Sequence, residues 1–304
     1  MSRYLTYATE NATEDTDADD GAIAVISLNR PRHRNAQNRG LLVELDEAFR
    51  RAEADDAVRV VVLRGEGEAF SSGHDLGSSD DRAERGHGPG RHPSYDRDGG
   101  TRAAAERRML QEWHHYFQNT RRWRDLRKIT IASVHGPVIS GGLMLMWACD
   151  LIVAARGTTF ADVVGARLGM CGLEYFAHPW EMGARRTKEL LLTGDSIDAD
   201  EAHRIGMVSK VFEPGRLDAG TLAFARRLAA VPTVTALLIK ESVNQTLDQQ
   251  GFGNALAACF SLHSLNHAHW AEVNPDGLPL GTEAAGLPGW RGAGPVRPAR
   301  KGEV

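Results

Sequence analysis

Two glycine-containing turns hold the residues whose types and spacing could do chemistry. Residues 69–76 (AFSSGHDL) directly follow a short apolar run, and residues 135–142 (HGPVISGG) directly precede another. Glycine lets the backbone approach a ligand closely. Where a helix follows such a turn, its first N–H groups lack partners within the helix, and the helix dipole adds partial positive charge. These turns suit an oxygen atom that becomes negative during a reaction, although Gly-Gly before a helix is more often a packing or capping feature.

The elements that must position these turns are predicted from apolar periodicity. Residues 4–8 and 22–28 are predicted to pair as strands across an acidic loop. Apolar residues recur at helical spacing over residues 41–52. Short apolar runs between polar flanks predict buried strands at 58–63, 129–134 and 150–155. Because strands joined by helices make parallel crossover units, the predicted fold class is α/β.

Most of the remaining chain is predicted to be helical. The predicted helices are a stripe through Met109, Trp113, Phe117 and Thr120, then 143–149, 179–192, 217–230 and 234–247, and a last helix through Phe252 and Phe260. His114 borders the first stripe and is predicted to be half-buried. Residues 77–100 are rich in Asp, Arg, His, Gly and Pro, which predicts a mobile surface excursion. Residues 274–304 are rich in Gly, Pro and Arg and are predicted to be an irregular tail.

Composition narrows the class of protein. A chain of 304 residues can bury a large core, and its formal net charge of −4 gives no reason to expect a nucleic-acid partner. Three cysteines are too few for a disulfide framework, and the apolar runs are too short for a membrane span. No group of His, Cys and carboxylate residues has the spacing of metal ligands. We therefore expect a cytoplasmic protein without nucleic-acid or membrane partners and without a metal.

The order and spacing of four motifs resemble the crotonase superfamily, the enoyl-CoA hydratase/isomerase family. The motifs are ISLNRP followed by Asn35-Ala36, then FSSGHDL, then VHGPVISGG followed by ACD, and last LTGDSIDADEAHRIGMVSKV. The resemblance covers residues 22–264. It implies a spiral of ββα and βαβ turns in residues 1–200 and a C-terminal helical region, 201–273, that packs the chain into a homotrimer or a dimer of trimers.

The resemblance also implies a substrate and a site. The substrate is an acyl-CoA thioester, with coenzyme A entering as part of the substrate and no separate cofactor required. The implied oxyanion donors are the backbone N–H groups of His74 and Gly141. Each such donor stabilises the developing thioester enolate by about 3–4 kcal/mol. Backbone polar groups near Ser72, Asp75 and Leu76 are implied to contact the adenine of coenzyme A. A basic residue of the turn that contains Arg30 and Arg32 is implied to contact its phosphates.

The chain departs from the hydratase pattern at both usual catalytic glutamates. Hydratases of the family typically place one glutamate three residues after the oxyanion glycine, where this chain has Met144. The second position falls on Val164 or Gly165. Two nearby carboxylates are candidate replacements as acid or base. For Glu174, the alternative to an acid/base role is a structural ion pair. For Asp162, the alternative is a role as a cap or turn residue.

The resemblance fixes an enolate step and leaves the later reaction open. The leading expectation is a lyase of the hydratase type (EC 4.2.1-like) or an isomerase acting on acyl-CoA, as in fatty acid metabolism. The alternatives are a hydrolase of a thioester or C–C bond on the same fold, and a degenerate member that binds acyl-CoA without turning it over. Loss of both glutamates favours the degenerate alternative, and the two intact turns oppose it.

Overall fold

Nine strands form two sheets in residues 2–12, 21–85, 91–97 and 105–273, which are the residues described by the computed structural model of the chain. The main sheet has the order β1-β2-β3-β4-β6-β9 and the second sheet the order β5-β7-β8. The strands are β1 (Leu5–Asn11), β2 (Ala22–Leu28), β3 (Val58–Gly65), β4 (Ile129–Val134), β5 (Pro137–Ile139), β6 (Leu151–Ala155), β7 (Thr159–Ala161), β8 (Ser196–Asp198) and β9 (Lys210–Phe212).

The predicted pairing of the first two strands is confirmed. Strand β1 runs antiparallel to β2, with Leu5 opposite Leu28 and Asn11 opposite Ala22. Every later neighbour in the main sheet is parallel. The crossovers therefore carry helices, as the α/β prediction requires.

The helices lie between and after the strands. They are α1 (Arg39–Ala54), α2 (Ser79–Arg85), α3 (Ser94–Arg97), α4 (Ala105–Glu112), α5 (Asn119–Arg124), α6 (Gly141–Trp147), α7 (Val164–Leu168), α8 (His178–Met182), α9 (Ala184–Thr193), α10 (Ala199–Arg204), α11 (Leu217–Ala229), α12 (Thr233–Gln249) and α13 (Phe252–Val273). A π-helical segment, Trp113–Gln118, joins α4 to α5. Short 3₁₀ turns precede α1 and α11.

Both faces of the main sheet are covered, which explains the continuous apolar runs of its central strands. Ile23 and Val25 belong to the cluster that includes Leu217 and Ala225 of α11. The alternate residues of the same strand, such as Ile26, belong to the larger cluster that includes α1 and α6. The sheet is thus a rigid layer, and the loops at its edge inherit fixed positions.

Two predicted helices are interrupted. The helix expected over 179–192 is two helices, α8 and α9, which meet at Gly183 with a φ of +77°. The stripe through Trp113 and Phe117 passes through the π-helical segment, which shifts the face that later residues present. As a result His115 is buried and His114 is exposed, so the half-buried position predicted for His114 is wrong.

The excursion predicted at residues 77–100 contains packed helices in its described part. Within α2, the Glu84 carboxylate is buried and accepts hydrogen bonds from the Tyr4 hydroxyl at 3.0 Å and the Asn38 amide at 2.7 Å. This segment is held by buried polar contacts and not by an apolar face. Composition alone therefore did not predict the helices that the segment contains. The rest of the excursion, 86–90 and 98–100, lies outside the described residues.

The boundary expected at residue 200 falls inside α10, and β9 beyond it still joins the main sheet. The helical region proper begins at α11. The tail at 274–304 lies outside the described residues. Among the described helices, no single one has the length and apolarity to cross a membrane; one bent pair, Pro214–Ala229 with Thr233–Gln249, meets both criteria together.

Candidate active site

The two glycine-containing turns meet in the structure. Ser71 bridges Val138, and the Ile139 N–H donates to the Ser71 carbonyl at 3.0 Å. Gly73 has a φ of +91°, and a Cβ atom there would lie 3.1 Å from the Gly141 nitrogen and 2.8 Å from the Ile139 carbonyl oxygen. Only glycine allows this approach. The turn after β3 therefore rests directly on the backbone that begins α6.

The two amides that the resemblance singled out sit at this contact. The neighbours of His74 are used in backbone pairing: Gln37 N–H donates to Gly73 at 2.8 Å, and Asp75 N–H donates to Gln37 at 3.1 Å. The His74 N–H has no acceptor among the residues that the structure describes. Gly141 is the first residue of α6, where an N–H has no partner inside the helix. Within the described part of the chain, neither donor has a backbone acceptor.

The imidazole of His74 lies beside Gly141. A Cβ atom on Gly141 would come within 2.7 Å of both Nδ1 and Cε1 of the ring. The other ring nitrogen, Nε2, lies 3.0 Å from Oε2 of Glu174, and the ring packs on Tyr116 with centroids 4.0 Å apart. Because an ionised carboxylate only accepts, Nε2 carries the proton that Glu174 accepts. Nδ1 is buried and has no hydrogen-bond partner within the described part of the chain.

Glu174 is a buried carboxylate, 2% exposed. Burial raises its pKa, but the nearby His74 and His263 lower it further, so the pKa of Glu174 is below its usual range. Oε1 of Glu174 lies 3.7 Å from Nε2 of His263. Between the two alternatives left by the sequence, the structure shows Glu174 paired with histidines, one of which borders the two turns.

Behind Glu174 lies a cluster that the sequence did not reveal. Its members are Glu112 at the end of α4 and His263 and His267 on α13. Burial lowers the pKa of His263, but hydrogen bonding to Glu112 and the charge of Glu174 raise it to about 9. The four-residue spacing of the histidines was visible, whereas the glutamate is 151 residues away from His263. Tertiary structure thus groups three side chains of metal-ligand type that no local sequence pattern connects.

Asp162 is fully buried, and both of its carboxylate oxygens are engaged. Oδ1 accepts from the Ser140 hydroxyl at 2.9 Å and from the Val164 N–H at 3.1 Å, and Oδ2 lies 3.0 Å from His178 Nε2. Ser140 precedes Gly141 and has a φ of +46°, in the left-handed region. Asp162 therefore holds the strained residue that precedes α6, which favours its cap or turn alternative over an acid/base role.

The basic turn expected to meet coenzyme A is only partly available. Arg30 is buried and pairs with Asp75 at 2.9 Å, and its guanidinium also donates to the Ala36 carbonyl. The expected phosphate contact of Arg30 is therefore corrected to a buried structural ion pair. Arg32 is exposed, and Ser72 and Leu76 reach the surface.

No carboxylate occupies the positions where hydratases of the family have their usual catalytic glutamates. Met144 is buried in α6, and Val164 is buried at the start of α7. At Gly165 a Cβ atom would lie 2.5 Å from the Leu191 carbonyl oxygen, so no larger residue fits. His74 instead places an ionisable side chain beside Gly141.

Comparisons with known proteins identify the family of the chain. The family model for enoyl-CoA hydratase/isomerase matches residues 18–92 and 98–269. The chain is 65% identical over 283 residues to a putative enoyl-CoA hydratase EchA13 of Mycobacterium tuberculosis, covering 93% of this chain and 89% of that protein. It is 32% identical over 257 residues to 4-chlorobenzoyl coenzyme A dehalogenase-2 of Arthrobacter sp, covering 82% and 85% of the two chains.

Solved structures show the same architecture. A probable enoyl-CoA hydratase from Mycobacterium smegmatis matches with a TM-score of 0.76 and 39% identity, covering 91% of this chain and 98% of that one. An enoyl-CoA hydratase/isomerase from Xanthobacter autotrophicus Py2 matches with a TM-score of 0.72 and 28% identity, covering 93% and 92%. The predicted fold class and the predicted family resemblance are confirmed.

Proposed function

The chain belongs to the enoyl-CoA hydratase/isomerase family, and from that premise we propose that it binds an acyl-CoA thioester and stabilises its enolate with the backbone N–H groups of His74 and Gly141. The observation that supports the proposal is the contact between the two turns: a Cβ atom on Gly73, the residue before His74, would lie 3.1 Å from the Gly141 nitrogen, and the His74 imidazole lies beside Gly141. Neither amide has a backbone acceptor among the described residues. Preorganised N–H donors act on the charge that develops on the thioester oxygen.

The acid/base group of this proposal is the His74 imidazole, with Glu174 as its positioning residue. Nδ1 lies at Gly141, and Nε2 is held by the Glu174 carboxylate 3.0 Å away. A carboxylate that holds one ring nitrogen fixes the tautomer and stabilises the imidazolium formed when the other nitrogen takes a proton. Glu174 thus acts through His74, because its own oxygens face histidines.

The proposed step balances as a proton transfer. Nδ1 of His74 takes the proton from the carbon next to the thioester carbonyl, and the electron pair of that C–H bond moves to give the enolate oxygen its negative charge. The imidazolium then returns the proton to the same carbon or to a carbon further along the acyl chain. The second return moves a double bond. Hydration requires one group to orient water and another to deliver a proton, so one acid/base group favours isomerisation.

The proposal is tested by hydrogen exchange at the carbon next to the thioester carbonyl. Butyryl-CoA and a longer acyl-CoA are incubated with the protein in deuterated water, and deuterium uptake is followed by mass spectrometry. We expect uptake in the wild type and a loss of at least tenfold, about 1.4 kcal/mol, in Glu174→Gln. Glu189→Gln, an exposed glutamate on α9, is the matched control and should behave as the wild type.

Assays with unsaturated acyl-CoA substrates distinguish isomerisation, hydration and hydrolysis. A 3-enoyl-CoA that gains the absorbance of a conjugated thioester supports isomerisation, and crotonyl-CoA that loses it without thiol release supports hydration. Release of free thiol supports the hydrolase. Tight acyl-CoA binding without exchange, or an unchanged rate in Glu174→Gln, would contradict the proposed acid/base pair; the first result favours the degenerate alternative. Asp162→Asn distinguishes positioning of α6 from proton transfer, because it should lower thermal stability together with activity.

A further inference from the structure

Three side chains outside the two turns converge on one point between α4 and α13. Oε2 of Glu112 lies 3.3 Å from Nε2 of His263 and 3.1 Å from Nε2 of His267. All three ligand atoms lie within 4.8 Å of one another. Both histidines are buried, and the Glu112 side chain is 12% exposed. One carboxylate oxygen therefore faces two imidazole nitrogens away from bulk water.

The spacing of these atoms suits a metal ion. Imidazole nitrogens and carboxylate oxygens bind Zn²⁺ at about 2.0–2.2 Å, and two ligands of a tetrahedral ion at such distances lie about 3.3 Å apart. Two histidines four residues apart on one helix with a carboxylate from elsewhere form a common ligand set for first-row transition metals. The separations of 3.1 Å and 3.3 Å fit one ion bound between the three side chains.

The outer contact of His263 sets the tautomer that a metal needs. Its Nδ1 lies 2.8 Å from the Gly172 carbonyl oxygen, which can only accept, so Nδ1 carries a proton. In the neutral imidazole, Nε2 then presents its lone pair to the cluster. Metal-bound histidines usually donate their second ring nitrogen to a carbonyl or carboxylate in this way.

Charge balance also favours a divalent cation. Glu174 contributes a second buried carboxylate, with Oε1 3.7 Å from Nε2 of His263. With both imidazoles neutral, as metal ligation requires, the two carboxylates carry a charge of −2, and buried charge is costly unless it is compensated. In the metal-free protein the proton on His263 offsets part of this charge, and a bound ion takes the place of that proton. One divalent ion compensates both carboxylates.

We propose that Glu112, His263 and His267 bind one divalent transition-metal ion of the zinc class, which joins α4 to α13. The ion supplies a fixed link between the helix that leads into the π-helical segment and the last described helix. It lies behind Glu174, on the side away from Gly141. None of its three ligands borders the two turns, and the site contacts the proposed active site only through the His263–Glu174 pair.

Zinc binding by the full-length protein tests the proposal. The purified chain is stripped with a chelator, exposed to Zn²⁺ alone, freed of unbound metal, and assayed for zinc per chain. We expect one ion per chain in the wild type, and a loss of at least about tenfold in affinity for Glu112→Gln and for His267→Gln. His269→Gln, an exposed histidine two residues further along α13, is the matched control and should retain the ion.

Each other outcome overturns the site. If the stripped wild type takes up no zinc, protons alone hold the three side chains together as ion pairs. If zinc remains in Glu112→Gln and His267→Gln, or is lost equally from His269→Gln, the ion binds elsewhere. Should the variants fail to fold, X-ray absorption of the zinc-loaded wild type decides: two imidazole ligands are expected, and any other number contradicts the assignment.

Discussion

At the scale of single residues, the candidate active site depends on how closely His74 approaches Gly141. The imidazole occupies the space that a side chain on residue 141 would need. The ring is held from two other sides, by Glu174 at Nε2 and by the Tyr116 ring. The His74 ring therefore has little room to move. A methyl group added at residue 141 must displace the imidazole or the turn that carries it.

Gly141→Ala is expected to reduce deuterium exchange into acyl-CoA at least tenfold, about 1.4 kcal/mol. The added Cβ would lie 2.7 Å from Nδ1 and Cε1 of His74 and push the ring out of place. Alanine is a better helix former than glycine, so helix propensity itself predicts no loss of thermal stability. Gly215→Ala, where no atom lies within 4 Å of the added Cβ, is the control. Equal exchange rates in both variants would contradict the close approach.

At the scale of elements, buried polar contacts hold the segments that apolar periodicity cannot place. Asp75 accepts from the backbone N–H of Ser78 at 2.8 Å, just before α2, and pairs with Arg30 at 2.9 Å. These bonds join the turn after β3 to the turn after β2. The positions of α2 and of His74 thus depend on one buried carboxylate.

The pH dependence of stability should report this carboxylate. Burial raises the pKa of Asp75, but hydrogen bonds from Ser78 and the charge of Arg30 lower it further, so the folded pKa is below the ordinary value. The contribution of Asp75 is therefore present above its ordinary pKa and is lost as the pH falls through the folded pKa. We expect Asp75→Asn to cost about 3 kcal/mol at about pH 7 and progressively less below about pH 4.

Urea unfolding at several pH values measures this difference. Asp218→Asn is the control, since that side chain is 71% exposed and pairs with Arg64 at 3.5 Å. A difference between wild type and Asp75→Asn that stays constant down to about pH 3 would argue against a depressed pKa.

At the scale of the whole molecule, α12 and α13 expose apolar side chains that the other described residues do not cover. Seven of them are more than half exposed, namely Val234, Leu238, Ile239, Val243, Leu262, Leu265 and Val273. Contiguous exposed apolar surface is typical of protein interfaces. The homotrimer, or dimer of trimers, implied by the family resemblance would cover this surface.

Light scattering of the purified protein should therefore give the mass of three or six chains. Leu238→Lys and Leu262→Lys place a charge on the exposed surfaces of α12 and α13 and should shift the mass toward one chain, because burying an unpaired charge is costly. Leu192→Lys, on α9 and 79% exposed, should leave the mass unchanged. A monomeric wild type, or variants that keep its mass, would refute assembly through these helices.

The sequence by itself determined five strands of the main sheet, the fold class and the two turns. Runs such as Val58–Gly65 are apolar because both faces of the sheet are buried, and periodicity reports burial directly. The order of the motifs indicated the family. Their glycines are local signals too, because glycine is needed where the backbones of the two turns touch. These are local properties, written into neighbouring residues.

Only the tertiary structure decided which side chains meet. Glu174 lies 100 residues from His74 in the chain, and Glu112 lies 151 residues from His263, so no local pattern connects them. The π-helical segment and the burial of Arg30 likewise depend on what packs against them. Side-chain partners separated by whole elements are chosen by the packing of those elements, and periodicity carries no information about that choice.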